Sequence, residues 1–518
     1  LSKHFNKTKK MKKQLLSFIL ALSFSSLFAQ TEFDGFALYN KQNENTTYLI
    51  DKEGDIAHTW NNDLSCNYTV LLKNNGNIVR GAKNPSNILG GAAEGGRVQE
   101  IAPDGSIVWD FTYSSSEHLS HHDITLVNNH VLLTAWEVKS TSELTQAGYD
   151  DASDDKWPTH FVEVAHDGNG GGEIVWEWHL WDHLIQDHDA SKDNYGIIGE
   201  HPELIDINML PEIGGGPGPG GDSGDWFHVN GVNYNAELDQ IAFSSRHSSE
   251  VFIIDHSTTT AEAASHFGGN SNQGGDILYR WGNPSNYDAP GSQQIPSAVH
   301  DVRWIANDGR PNGGFLQFYN NDGAGNFSAI DAIETPRNGY NYDLVAGQAY
   351  EPSSYDWRHT CEGYASGQSS QDRMSNGNVF VNMSGGQGGA GYMYEADSLG
   401  NVVWLYNAGG TPKAFRYECK DLGIIALLDN PCVIDETAIS EEELSKIIIS
   451  PNPSKGIFNI TGIESKDFTI SIANAFGQRI KVQKSARIDL TEFANGIYFI
   501  HYLDDKGLST LKTVSLTK

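Results

Sequence analysis

Four short stretches of this chain concentrate side chains able to attack, bind or protonate an anionic group. They are His121-His122-Asp123, Asp225-Trp226-Phe227-His228-Val229-Asn230, Ser244-Ser245-Arg246-His247 and Ser297-Ala298-Val299-His300-Asp301-Val302-Arg303. A neutral imidazole such as His300 can attack an electrophilic sulfur or phosphorus and later leave again, which is nucleophilic catalysis without a cofactor. The planar guanidinium of Arg246 suits an anion with three oxygens, although pairing with Glu250 is its plainer role. In an extended strand alternate residues share a face, so His228 and Asn230 are expected side by side. His122-Asp123 repeats the His-Asp pair of His300-Asp301, which places both pairs on one face of a shared site. With 19 histidines in the chain, only such clusters are informative.

These side chains need a rigid frame, and the sequence repeats itself to make one. An extended segment, a Gly turn and a hydrophobic strand closing on an aromatic recur at Tyr48–Trp60, Val98–Trp109, Val162–Trp178, Val251–Trp281, Ala329–Trp357 and Tyr392–Trp404. Between them lie hairpins at Val70–Val79, Ile124–Leu133, Val232–Phe243, Val302–Phe318 and Arg373–Phe380, some turning on Asn-Gly. Two hairpins make a four-stranded blade, and about six blades close a ring without a long exposed edge. The expected fold is all-β, a six-bladed β-propeller over 30–435 followed by a small C-terminal β-sandwich. Long insertions at Ser140–Trp157, Leu180–Gly224 and Phe267–Ile295 are expected to line a substrate site, with the Gly/Pro run Gly214–Gly221 as a flexible element.

Composition narrows the partners. The 54 glycines, 12 tryptophans and 21 tyrosines fit many short strands and tight turns. A net charge of −31 repels polyanions, so nucleic acid is not an expected partner, and an anionic substrate must meet a local cation. Met11-Lys12-Lys13, the apolar run Leu15–Phe28 and Ala29-Gln30 read as a signal peptide over 11–29, and no later segment is apolar enough to span a membrane. The exported chain carries Cys66, Cys361, Cys419 and Cys432, of which Cys419 and Cys432 are the expected disulfide pair. No Cys/His zinc spacing, EF-hand or Gly-x-Ser-x-Gly elbow is present. Asp150, Asp151, Asp154, Asp155, Asp187, Asp189 and Asp193 read as solvated acidic loops rather than calcium sites. Neither a metal nor a cofactor is expected.

Acidic Glu436–Glu443 reads as a linker, 436–446, and a new module occupies 447–518. Its Pro-Asn-Pro start (451–453), its Leu490-Thr-Glu-Phe-Ala-Asn-Gly-Ile-Tyr-Phe-Ile500 core and its terminal position resemble the C-terminal sorting domain of type IX secretion. That resemblance implies the type IX machinery as a partner and passage through periplasm and outer membrane to the cell surface or medium.

The larger part has its own resemblance. Trp226-x-His228-x-Asn230-x-x-x-Tyr234, then Ser244-Ser245-Arg246 and Val251-x-x-Ile254-Asp255, then His300-Asp301, are similar to bacterial arylsulfate sulfotransferases over about Phe33–Tyr406. Those enzymes are six-bladed propellers that take sulfate from a phenolic ester without the nucleotide donor PAPS. The resemblance implies that His300 is transiently sulfurylated. It further implies that His228, Arg246 and Asn230 bind the sulfuryl oxygens and assist the leaving phenol, and that His121 or His122 supplies a further histidine. The expected substrates are a phenolic sulfate donor and a phenol acceptor. A sulfatase-like hydrolase and a secreted, non-catalytic binding or adhesion propeller are the competing readings.

Overall fold

A computed structural model of the chain describes residues 33–210, 224–291, 295–385, 391–429, 431–432, 447–463, 468–474, 479–504 and 509–518. The expected signal peptide, the Gly214–Gly221 run and the 436–446 linker lie outside the described residues. The chain divides into two compact units, Leu1–Asp429 and Asn430–Lys518. With 46% of residues in strands against 6% in helices, the protein is all-β.

The larger unit contains six four-stranded antiparallel sheets among the described residues. Their first strands are Cys66–Leu72, His118–Val127, Val229–Asn235, His300–Trp304, Ser370–Arg373 and Ala414–Glu418. The last of these pairs with Gly35–Asn40, so one sheet joins the two ends of the unit. First strands touch in the order given, and Ala414–Glu418 in turn touches Cys66–Leu72, which closes the cycle. This arrangement is propeller-like.

Both repeated sequence patterns fall on these sheets. The Asn-Gly hairpins join first and second strands, as in Cys66–Leu72 with Ile78–Lys83. There the Gly76 N–H bonds the Lys73 carbonyl at 2.9 Å, and Gly76 takes φ +83°, a conformation open to glycine. The aromatic-closed segments join third and fourth strands. Trp60, Trp109, Trp178, Trp281 and Trp404 are buried on fourth strands, where a large apolar ring seals one sheet against its neighbour.

A buried polar network links all six first strands. Lys413, just before the Ala414–Glu418 strand, donates to Asp123 Oδ2 (2.7 Å) and Asp301 Oδ1 (3.0 Å). Asp123 also accepts from the Thr69 hydroxyl at 2.5 Å and the Val232 N–H at 2.9 Å. Asp301 Oδ2 accepts the Gln371 N–H at 2.9 Å. Because buried charges are costly unless paired and hydrogen-bonded, this network ties the six sheets into one arrangement.

In the smaller unit, a three-stranded and a four-stranded sheet share a core that includes Phe458, Ile470, Ile488 and Ile500. Cys419 and Cys432 are disulfide-bonded, whereas Cys66 and Cys361 are free and buried.

Candidate functional site

The first strands begin irregularly where the predicted residues sit. Their pairing slips a register between Ser120 and Ile124, Val229 and Gly231, and His300 and Arg303. His122, His228, Ala298, Asp301 and Gln368 all take positive φ, between 47° and 55°. Such bulges and left-handed residues turn side chains away from the regular alternation of a strand. They also hold strain of the kind found at functional sites.

His300 is buried, and its Nδ1 lies 2.7 Å from Asn321 Oδ1 and 2.8 Å from the Ala298 carbonyl. The Asn321 amide is oriented by donation from its Nδ2 to the Ala365 and Gln368 carbonyls, at 2.8 and 3.3 Å. Both partners of Nδ1 are therefore acceptors, so Nδ1 carries the ring proton and Nε2 keeps a lone pair. Burial, then the charges of Arg246 and His228, hold His300 well below the usual imidazole range, so the ring is neutral at neutral pH.

Arg246 follows the Gln240–Ser245 strand, and its backbone N–H bonds the His228 carbonyl at 3.1 Å. Its Nη1 donates to the Ser366 carbonyl at 2.9 Å. The sequence-based alternative, pairing with Glu250, does not occur. Arg280 grips that carboxylate through two bonds of 3.0 and 2.8 Å, with both side chains fully buried. Gly367 lies between the predicted cation and the predicted nucleophile. A Cβ there would stand 3.3 Å from Arg246 Nη1 and 3.9 Å from His300 Cε1. The two groups thus face the same small space.

His228 completes the cluster. Its Nδ1 is 2.6 Å from Asp225 Oδ2, and its ring packs 4.5 Å from that of His122 and 4.7 Å from that of His247. Burial opposes the Asp225 charge, but His228 outweighs it and holds the carboxyl at about 2. His121 and His122 meet through their Nδ1 atoms at 2.8 Å, so one ring donates to the other. They differ in place. His121 stacks on Trp136 at 4.1 Å, while His122 contacts His228 and Tyr68. Burial lowers both, His121 to about 3.

Asn230 requires a correction. It is fully buried, its Nδ2 donates to the Val299 carbonyl at 2.8 Å, and its Oδ1 accepts from Ser244 at 2.7 Å. Strand alternation does not extend to His228, which precedes the strand in a left-handed conformation, and the register slips beside Asn230. Asn230 therefore anchors the segment leading into His300, with both ends of its amide held by the protein.

Sequence reasoning missed Asn321 and Lys413. Asn321 is one of two adjacent asparagines on the second strand of its sheet, and Lys413 is a lone cation in the irregular segment just before the Ala414–Glu418 strand. Neither belongs to a motif, and only the fold reveals their partners.

A family model described as Arylsulfotransferase (ASST) matches residues 6–398. A second, a secretion system C-terminal sorting domain of the type IX pathway, matches residues 448–516 and directs export to the cell surface or medium. No curated protein matches the sequence. Among solved structures, the chain is similar to a protein of unknown function from Bacteroides caccae, at 12% identity over 74% of this chain and 98% of that one, with a TM-score of 0.41. It is also similar to the β-propeller domain of Myceliophteria thermophila Cps50 (Swd1), at 8% identity over 76% and 95% of the two chains, with a TM-score of 0.35. A third likeness is to apo AztD from Citrobacter koseri, at 10% identity over 94% and 100%, with a TM-score of 0.32. Among the described residues, no helix is long and apolar enough to cross a membrane.

Proposed function

Since the chain belongs to the Arylsulfotransferase (ASST) family, we propose that it moves a sulfuryl group from a phenolic sulfate ester to a phenol acceptor through a sulfohistidine on His300. In this reading the six sheets are the blades of a closed propeller, the site lies where their first strands meet, and the tail is a small β-sandwich. The observation that carries the reading is the neutral His300, its Nε2 lone pair fixed by Asn321, beside the Arg246 guanidinium.

In the first half-reaction Nε2 of His300 attacks sulfur, the bond from sulfur to the phenolic oxygen breaks, and the phenolate leaves with the electron pair. His228, steadied by Asp225, protonates that oxygen. In the second half-reaction the acceptor phenol gives its proton to His228 and its oxygen attacks sulfur. The Nε2–S pair then returns to His300. No nucleotide donor or bound cofactor enters this balance. Arg246 offsets the charge on the three transferring oxygens, which a fixed cation does best from a site already shielded from water. In this reading His122, whose ring packs against that of His228, is the further histidine of the site, and His121, stacked on Trp136, supports it.

The test uses a chromogenic aryl sulfate with and without a phenol acceptor. Colour that depends on acceptor, ping-pong kinetics and a sulfuryl adduct in the intact mass after donor alone are expected. The adduct should vanish in His300→Ala. Colour without acceptor dependence would make the protein a hydrolase. No turnover and no adduct would leave a binding propeller.

A further inference from the structure

Away from that site, a second histidine cluster joins two long insertions. His183 ends the short turn Leu180–His183 at the head of the 180–224 insertion. His266 and Asp276 flank a tight loop that leads into the Ile277–Trp281 strand. Asp276 Oδ1 lies 2.8 Å from His183 Nδ1 and 2.7 Å from His266 Nδ1. The two rings stand at 85° to each other, with centroids 5.9 Å apart.

The other nitrogen of His183 decides what this cluster can hold. Nε2 lies 2.8 Å from the Ala263 carbonyl, which can only accept, so it carries the ring proton. A neutral His183 then turns an Nδ1 lone pair toward a carboxylate oxygen at hydrogen-bond distance. Two electron-rich atoms that close need either a second proton or a cation between them. The surroundings fix the ring as a ligand is fixed. His183 is fully buried and stacked on Trp178 at 5.5 Å and 7°, and the Trp178 indole N–H donates to the Gly275 carbonyl at 2.7 Å. A Cβ on Gly275 would lie 2.6 Å from His183 Nε2, so only glycine lets the loop close over the ring. An imidazole whose far nitrogen donates to a backbone carbonyl is the usual outer support of a metal-bound histidine.

We infer that His183, His266 and Asp276 form a binding site for a divalent transition ion of the zinc class. The three ligand atoms lie within 4.8 Å of one another. Two imidazoles and one carboxylate suit a borderline ion, and water completes a four-coordinate shell on the side of the exposed His266. The ion staples the 180–224 insertion to the loop before Ile277, a structural role that stands apart from sulfuryl transfer. His183 and Asp276 are separated by 93 residues, so this site carries no local zinc-ligand spacing in the sequence.

The experiment takes the tag-free full chain, strips it with chelator, and titrates it with zinc by calorimetry. Metal analysis after gel filtration gives the stoichiometry. One retained zinc per chain is expected, with a melting temperature that rises on zinc addition. His266→Ala, a change at an exposed side chain, should keep the fold by circular dichroism. It should weaken that binding by roughly a hundredfold or more, beyond the usual loss of an outer support. His183→Gln should lose it as well. Since other histidines can take zinc, the loss in His266→Ala is the deciding result. If the wild-type chain retains no zinc, or if His266→Ala binds it equally well, the cluster is a proton-bridged ion pair and the inference falls.

Discussion

Replacing Lys413 with Met tests whether one ammonium group holds the first strands together. In the wild-type chain that group sits 2.7 Å from Asp123 and 3.0 Å from Asp301, with all three side chains about 1% exposed. At an effective dielectric near 20, each attraction is worth about 6 kcal/mol, against which desolvation and the mutual repulsion of the carboxylates must be set. Removing one partner of a buried ion group costs about 3–5 kcal/mol. For a unit of roughly 400 residues the unfolding entropy is about 0.8 kcal/mol/K, so the melting temperature should fall by about 4–6 °C.

The pH dependence makes the test sharper. In the wild type, burial raises the Asp301 carboxyl, but Lys413 and Arg303 outweigh it and keep it below its ordinary value. Its stabilisation is thus present above the unfolded carboxylate pKa near 3.9 and is lost as pH falls below it. Without Lys413, burial and the facing Asp123 push the folded-state value up. The defect of the variant should then be largest near neutral pH and shrink on acidification. Differential scanning calorimetry from pH 4 to pH 8 measures both curves. A variant that melts within a degree of wild type at pH 7, or whose deficit grows in acid, would show that Lys413 does not hold the strands together.

Three further outcomes are expected. Arg246→Gln should lower kcat/KM for sulfuryl transfer by about 10²–10³ with little change in melting temperature, because it removes the cation from the oxygens but leaves the strands intact. Asn321→Asp places a carboxylate against Nδ1 of His300 and raises the imidazole pKa. The acid limb of the kcat/KM profile should then move to higher pH, and an unmoved limb would show that Asn321 does not set the tautomer. His256 bridges Asp239 at 2.7 Å and Glu163 at 2.8 Å; burial opposes its charge, but the two carboxylates lift it to about 9. A folded value raised from 6.5 contributes stability that is complete below that pH and is lost as pH climbs through 9, about 3 kcal/mol in all. Melts from pH 6 to pH 10 should show this loss in the wild type and not in His256→Gln.

What the sequence determined by itself was the all-β class and the set of polar clusters able to carry chemistry. Hairpin turns and alternating apolar strands are local signals, so the all-β class and the strand pairs were legible in segments such as Val98–Trp109 and Arg373–Phe380. The His-Asp pairs and Arg246 stood out because polar clusters at strand starts are hard to explain as core. The orientation of these side chains was not legible. It depends on register slips and left-handed backbone at His122, His228 and Asp301, which no alternation rule anticipates. Tertiary structure alone decided that Asn230 anchors the chain, that Arg280 and not Arg246 takes Glu250, and that Asn321 fixes the proton on His300. It also brought Lys413 to Asp123, across 290 residues of chain. Hydrogen bonds and ion pairs act over about 3 Å in space, whatever the separation along the chain, so partners this remote are chosen by the closing of the sheets.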